Sequence, residues 1–115
     1  MRPLFWVGDS LEKLRGFPEE VRQAIGYALH VAQQGETTPQ TKLLRGMGGD
    51  VYEIVDDFDT NTYRAVYVAK LASGIYVLHC FQKKSKKGIQ TPKSDLEKIK
   101  ARLRRAKEQD KEGMP

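Results

Sequence analysis

Lys83, Lys84, Lys86 and Lys87 crowd four ammonium groups into five residues. An isolated lysine has an unperturbed pKa of about 10.4 and keeps its proton at neutral pH. Repulsion among close like charges lowers that value and brings some of the group towards acid–base work. Lys84 and Lys83 leave directly from an apolar run and suit proton handling, while Lys86 and Lys87 lie further out and suit phosphate contacts. The plainer reading of such a cluster is a solvated turn with no task. Arg64 is a lone arginine amid apolar neighbours in a stretch rich in Tyr and Val. Its planar fork matches phosphate oxygens in a way that a lysine does not. Its plainer role is an ion pair with Glu53, which a short hairpin would set on the same face and nearly opposite. From the residues alone the ion pair is favoured. His79 has the side chain that titrates nearest neutrality and suits a general base. Strict alternation groups it with Ile75, Val77 and Phe81, opposite Cys80. If that face is core, His79 is a packing residue; if it is open, it lies beside the lysines.

The charge around these residues is uneven. Residues 1–82 hold 8 Lys/Arg against 10 Asp/Glu, and residues 83–115 hold 12 against 5, giving the net +5 of the chain. A basic C-terminal third points to a polyanion partner, most simply nucleic acid. Lysine-rich helices are also often just solvated. Cys80 stands alone, so no internal disulfide forms, as suits a reducing compartment. It reads as a small buried hydrophobe. No Cys/His cluster has zinc spacing, so neither metal nor cofactor is expected. No apolar run is long enough to span a bilayer, and residues 1–6 carry no secretion signal, so a cytoplasmic location is expected.

Positioning these groups needs a scaffold, and 115 residues allow one domain. Leu4 to Val7 reads as a short strand. Asp9 and Glu12 suggest a capping box for a helix from Ser10 to Arg15. Pro18, Glu19 and Glu20 open a second helix, which buries Val21, Ala24, Ile25, Ala28, Val31 and Ala32 and closes at Gly35. Residues 36–50 read as a connection carrying Lys42 and Arg45. Three β-rich runs follow, Val51–Val55, Thr62–Lys70 and Ile75–Phe81, joined by short polar turns as an antiparallel meander. Thr91 caps a last helix with Pro92 at its first position. The apolar stripe of that helix, Leu96, Ile99, Leu103 and Ala106, is narrow, and residues 109–115 are expected to fray. The fold class is α+β: a small antiparallel sheet of a three-stranded meander plus the N-terminal strand. Two N-terminal helices pack it, a basic C-terminal helix follows, and one face stays partly open beside the lysines.

Three patterns in this order resemble the RelE/ParE toxin superfamily, in particular its phage-derived HigB-like branch. They are Lys42-Leu43-Leu44 leading through glycines into Val51-Tyr52-Glu53-Ile54; Tyr63-Arg64-Ala65-Val66-Tyr67; and Leu78-His79-Cys80-Phe81-Gln82-Lys83-Lys84-Ser85 followed by Thr91-Pro92-Lys93. The resemblance covers roughly residues 3–107 and implies a RelE-like fold. It also implies the toxin of a type II toxin–antitoxin pair: a metal-independent endoribonuclease that cuts messenger RNA on the ribosome. A helix-turn-helix, HigA-like antitoxin would be its partner. Matched to the family's strand arginine, Arg64 becomes the group that stabilises charge on phosphorus. Lys84, Lys83 and His79 are the candidates for moving protons; Lys86, Lys87, Lys42, Arg45 and Lys93 are the candidates for holding RNA.

Some RelE-type enzymes carry lysines where this chain has Glu53 and Val55, and a tyrosine where residues 86–93 have none. The acid and base roles therefore do not transfer directly from those relatives. Tyr52, Tyr63, Tyr67 and Tyr76 have rings that stack on unpaired bases, yet strand tyrosines more often pack in cores. Two other functions fit the same resemblance. One is a ParE-like protein that inhibits DNA gyrase and cuts nothing; the other is a degenerate toxin retained to bind RNA or an antitoxin.

Overall fold

The computed structural model describes residues 1–83 and 91–113. Its elements run β1 (Leu4–Trp6), α1 (Ser10–Arg15), α2 (Glu19–Gln33), β2 (Thr41–Leu43), β3 (Val51–Phe58), β4 (Asn61–Val68), β5 (Ile75–Lys83) and α3 (Lys93–Lys111). The fold is α+β, with a five-stranded sheet in the order β1-β5-β4-β3-β2 and three helices, compatible with a RelE-like fold.

The meander is present, and its central hairpin is tight. Strands β3 and β4 pair from Val51↔Val68 to Phe58↔Asn61, leaving Asp59 and Thr60 as a two-residue turn. Both turn residues have positive φ, 51° and 66°, the backbone twist that a short hairpin demands. Two features of the sheet depart from the expectation. Thr41–Leu43 is not loop but a fifth strand, antiparallel to β3 at one edge. Three residues, one half-buried and two exposed, are too few to show a period. At the other edge β1 runs parallel to β5, with Leu4 opposite Ile75 and Trp6 opposite Val77, so the sheet is mixed.

The two faces are covered by different helices. On one, Val21, Ile25, Ala28, Leu29 and Ala32 of α2, with Leu14 of α1, pack on Ile54, Tyr63, Ala65, Tyr67, Ile75, Val77 and Cys80. Ala24 and Val31, also expected in this core, are only partly buried. On the other, Ile99, Leu103 and Ala106 of α3 pack on Val51, Val66, Val68, Tyr76, Leu78 and Phe81. The face expected to be partly open is therefore closed by α3. The stripe of this helix is narrow but wide enough to dock.

The helix ends also differ in detail. Asp9 makes no capping bond to α1; its carboxylate accepts instead from Arg102, at 2.7 Å. Pro92, not Thr91, is the N-cap of α3. The expected fraying from residue 109 does not occur at its start: α3 continues to Lys111, and Asp110 accepts from the backbone N–H groups of Ala72 (3.0 Å) and Ser73 (2.6 Å). Those two bonds hold the carboxyl of Asp110 below its ordinary range. Among the described residues no helix is long and apolar enough to cross a membrane.

Candidate functional site

Arg64 sits mid-strand in β4 and points at α3, on the face it shares with Thr62, Val66 and Val68. Its Nη1 donates to Glu53 Oε2 at 3.1 Å, and both side chains are at most 5% exposed. Glu53 lies two residues before Val55, the residue opposite Arg64, and is therefore its diagonal neighbour on the same face. The hydroxyl of Thr91 donates to the same carboxylate oxygen at 2.9 Å and lies 3.5 Å from Arg64 Nη1. A guanidinium open to a phosphodiester was expected here. Instead Arg64 is 3% exposed and ion-paired, because α3 and its lead-in residue Thr91 close over it. Removing a charge from water is affordable only with such a partner.

A second polar network lies where β5, α1 and α3 meet. His79 is 2% exposed, and its ring stacks on that of Phe81 with centroids 4.8 Å apart. Its Nε2 is 2.8 Å from Asp95 Oδ1 and its Nδ1 is 3.4 Å from Arg102 Nη1. A guanidinium only donates, so Nδ1 accepts and Nε2–H donates to Asp95: this is a neutral imidazole with both nitrogens engaged. Burial pushes the His79 pKa below its ordinary value; the bond to Asp95 opposes that, and Arg102 and Lys98 reinforce it. A general base needs a free lone pair, and His79 does not present one. It is a satisfied core residue of the α3 face. Arg102 goes on to donate to the Leu78 carbonyl at 3.0 Å and to Asp9, whose carboxyl that bond holds below its usual range.

The alternation expected for β5 fails at one point. Val66 pairs with His79 but Tyr67 pairs with Val77, so Leu78 is an extra residue. Ile75 and Val77 face α2, as does Cys80, whereas Leu78, His79 and Phe81 face α3. His79 therefore keeps the company of Phe81 but not that of Ile75 and Val77. A bulge of this kind shifts the facing of everything after it. Burial raises the Cys80 thiol to about 12, so it is an inert packing group.

Beyond the bulge, Lys83 stands opposite Thr62 and Phe81 opposite Arg64. Lys83 and Arg64 are thus diagonal neighbours on one face, a separation of roughly 7–8 Å between backbones. Lys42, exposed on β2, stands opposite Glu53. Lys93, exposed, opens α3 two residues after Thr91. Lys42, Lys83 and Lys93 therefore come from three separate segments to the surroundings of the buried pair. Arg45 is exposed just past the end of β2. Lys84, Lys86 and Lys87 lie outside the described residues.

A cleft of about 610 Å³ opens between α1, the outer end of β5 and the first turns of α3, with Phe17, His79, Gln82, Asp95 and Lys98 in its lining. Its carboxylates make it a poorer host for phosphate than the lysine-flanked surface around Arg64. Sequence reasoning missed Asp9, Thr91, Asp95 and Arg102. For two of them a signal existed: Asp95 and Arg102 lie four before and three after the buried Ile99, on the stripe that docks. Asp9 was masked by a competing role as a cap, and Thr91 likewise.

The model of the family described as Phage derived protein Gp49-like (DUF891) matches residues 12–104. No curated protein and no solved structure matches the chain. The matched span takes in both polar networks apart from Asp9, and every strand from β2 to β5. The chain belongs to the phage-derived Gp49-like family, a RelE/toxin-like family of toxin–antitoxin related function.

Proposed function

We propose that this chain is the HigB-like toxin of a type II toxin–antitoxin pair, a metal-independent endoribonuclease that cuts messenger RNA on the ribosome. One observation carries the reading. Lys42, opposite Glu53, and Lys83, diagonal to Arg64, flank the buried Arg64–Glu53 pair on one sheet face, and Lys93 opens the helix whose lead-in residue Thr91 bonds to that pair. A bent phosphodiester needs such a setting: cations arriving from several directions, anchored on rigid strands.

The chemistry requires no group beyond the RNA and the protein. The ribose 2′ oxygen attacks the adjacent phosphorus, a new P–O2′ bond forms, the P–O5′ bond breaks and a cyclic phosphate remains. One side chain takes the 2′ proton and another returns a proton to the departing 5′ oxygen. Lys83 and Lys84 handle those protons. Lys86, Lys87, Lys42, Lys93 and Arg45 hold the flanking phosphates. Arg64, sealed in its pair with Glu53, positions the strand that carries this surface and does not touch the phosphate. The partner is a helix-turn-helix, HigA-like antitoxin that covers this basic surface, and the setting is the cytoplasm.

Inducing the chain without its antitoxin and mapping RNA 5′ ends tests this, with a Lys83→Ala/Lys84→Ala control. New ends within coding regions, absent from the control, are expected. Intact transcripts accompanied by DNA breaks would replace the reading with gyrase inhibition. Intact transcripts with salt-sensitive RNA binding would leave only a binding module.

A further inference from the structure

Strict alternation along β5 would send Lys83 to the wrong side. Ile75 and Val77 face α2, and a two-residue repeat continued from them puts residues 79, 81 and 83 there as well. The extra residue at Leu78 reverses that facing, because a one-residue slip exchanges the two faces of a strand. Phe81 and Lys83 reach the side of Arg64 only because β5 bulges there.

An extra residue in a strand leaves backbone groups without their ladder partners, so something must hold it. The Leu78 carbonyl is taken by Arg102 Nη1 at 3.0 Å, and the same nitrogen reaches His79 Nδ1 at 3.4 Å. Both bulge residues are thus gripped by one guanidinium. That guanidinium is itself fixed by Asp9 at 2.7 Å and pressed against Gly8, where a Cβ would come within 2.9 Å of it. Gly8 has φ +59°, so glycine serves there for both backbone and space. On its far side His79 is held by Asp95. All these contacts come from elements distant in sequence and meet at one strand irregularity.

We infer that Arg102 is a positioning residue: it clamps the bulge in β5 and thereby sets Lys83 on the same sheet face as Arg64. Its link to catalysis rests on the nuclease reading above; its link to the strand register does not. Arg102 never touches RNA. It acts through the facing of Lys83.

Two measurements on the full-length protein test the two links separately. The first is the cross-strand NMR contact pattern, Thr62 to Lys83 and Arg64 to Phe81, in Arg102→Met, in Gly8→Ala and in an Arg105→Met control on the exposed side of α3. Loss or a one-residue shift of those contacts in Arg102→Met, with the control unchanged, is the expected result. Retention of the parental pattern in Arg102→Met overturns the clamp. If Arg102→Met does not fold, Gly8→Ala decides in the same way, since its added Cβ displaces the guanidinium while keeping it. The second is cleavage of messenger RNA on programmed ribosomes. Arg102→Met should lose about a hundredfold in kcat with little change in KM, the scale of a small misplacement of a reacting group. Partial recovery is expected in Arg102→Lys, which restores one donor. A shifted register with full kcat overturns the link to catalysis. If the parent protein cuts no RNA, the nuclease reading fails while the contact pattern still decides the clamp.

Discussion

The two faces of the sheet are built to different rules. Beneath α2 the buried strand residues are Ile54, Tyr63, Ala65, Tyr67, Ile75, Val77 and Cys80, without a charged side chain among them. Beneath α3 the apolar set of Val66, Val68, Leu78 and Phe81 is interrupted by Glu53, Arg64 and His79, the buried carboxylate, guanidinium and imidazole among the described residues. Both faces exclude water, and the tyrosines and the cysteine beneath α2 stay neutral, yet only one face accepts the cost of burying acidic and basic side chains. A face that serves stability alone gains nothing from such groups, since well-packed hydrophobic residues of similar volume do as well or better. The α2 face is therefore the scaffold, and the α3 face is where specific geometry is kept.

Arg64→Ala is the sharpest way to break this contrast. It leaves Glu53 buried without its cation and should cost about 4 kcal/mol in urea unfolding. Replacing both partners, as Arg64→Met with Glu53→Leu, should restore most of that stability while leaving RNA cleavage abolished. Full cleavage in the double variant would strip the pair of any functional part. Next in size is Leu29→Ala on the scaffold side, expected to cost about 3 kcal/mol through the cavity it leaves. Its cleavage rate per folded molecule should match the parent. A rate that drops with Leu29 would show that the faces are not separable.

The smallest effect comes from His79. Its folded-state pKa lies below the unfolded value of 6.5, so on acidification the unfolded chain takes the proton first. Its contribution to stability is full above that value and declines as pH falls from 6.5 towards the lower folded pKa. Urea midpoints between pH 7 and about pH 5 should fall more in the parent than in His79→Gln. Equal slopes would mean that the imidazole is not held neutral by its neighbours.

The scaffold was largely legible in the sequence because its signals are local. Helical spacing in Val21, Ile25, Ala28 and Ala32 and polar turns between β-rich runs need only short windows to read. β2 escaped because three residues give no period, and the parallel pairing of β1 because nothing local encodes which strand it meets. The α3 face was legible in part. The Arg64–Glu53 pair follows from a hairpin, and its burial does not, since that depends on where a helix thirty residues later docks. The misplacement of His79 among Ile75 and Val77 has one cause: a bulge held by an arginine from another element leaves no trace in the strand's own residues. Asp9 shows the same limit from the other side. Its local pattern fits a cap so well that its distant partner Arg102 goes unsuspected.

The parallel seat of β1 beside Ile75–Val77 has a temporal consequence. During synthesis, from the N-terminus onward, Leu4–Trp6 has no strand to lie against until β5 has been made. The surface bearing Glu53, Arg64 and His79 stays uncovered longer still, until α3 follows. Sequence-distant contacts of this kind form late and slowly. A chain whose synthesis stops before α3 is complete therefore has its charged interior still in water and lacks the arginine that grips the bulge in β5.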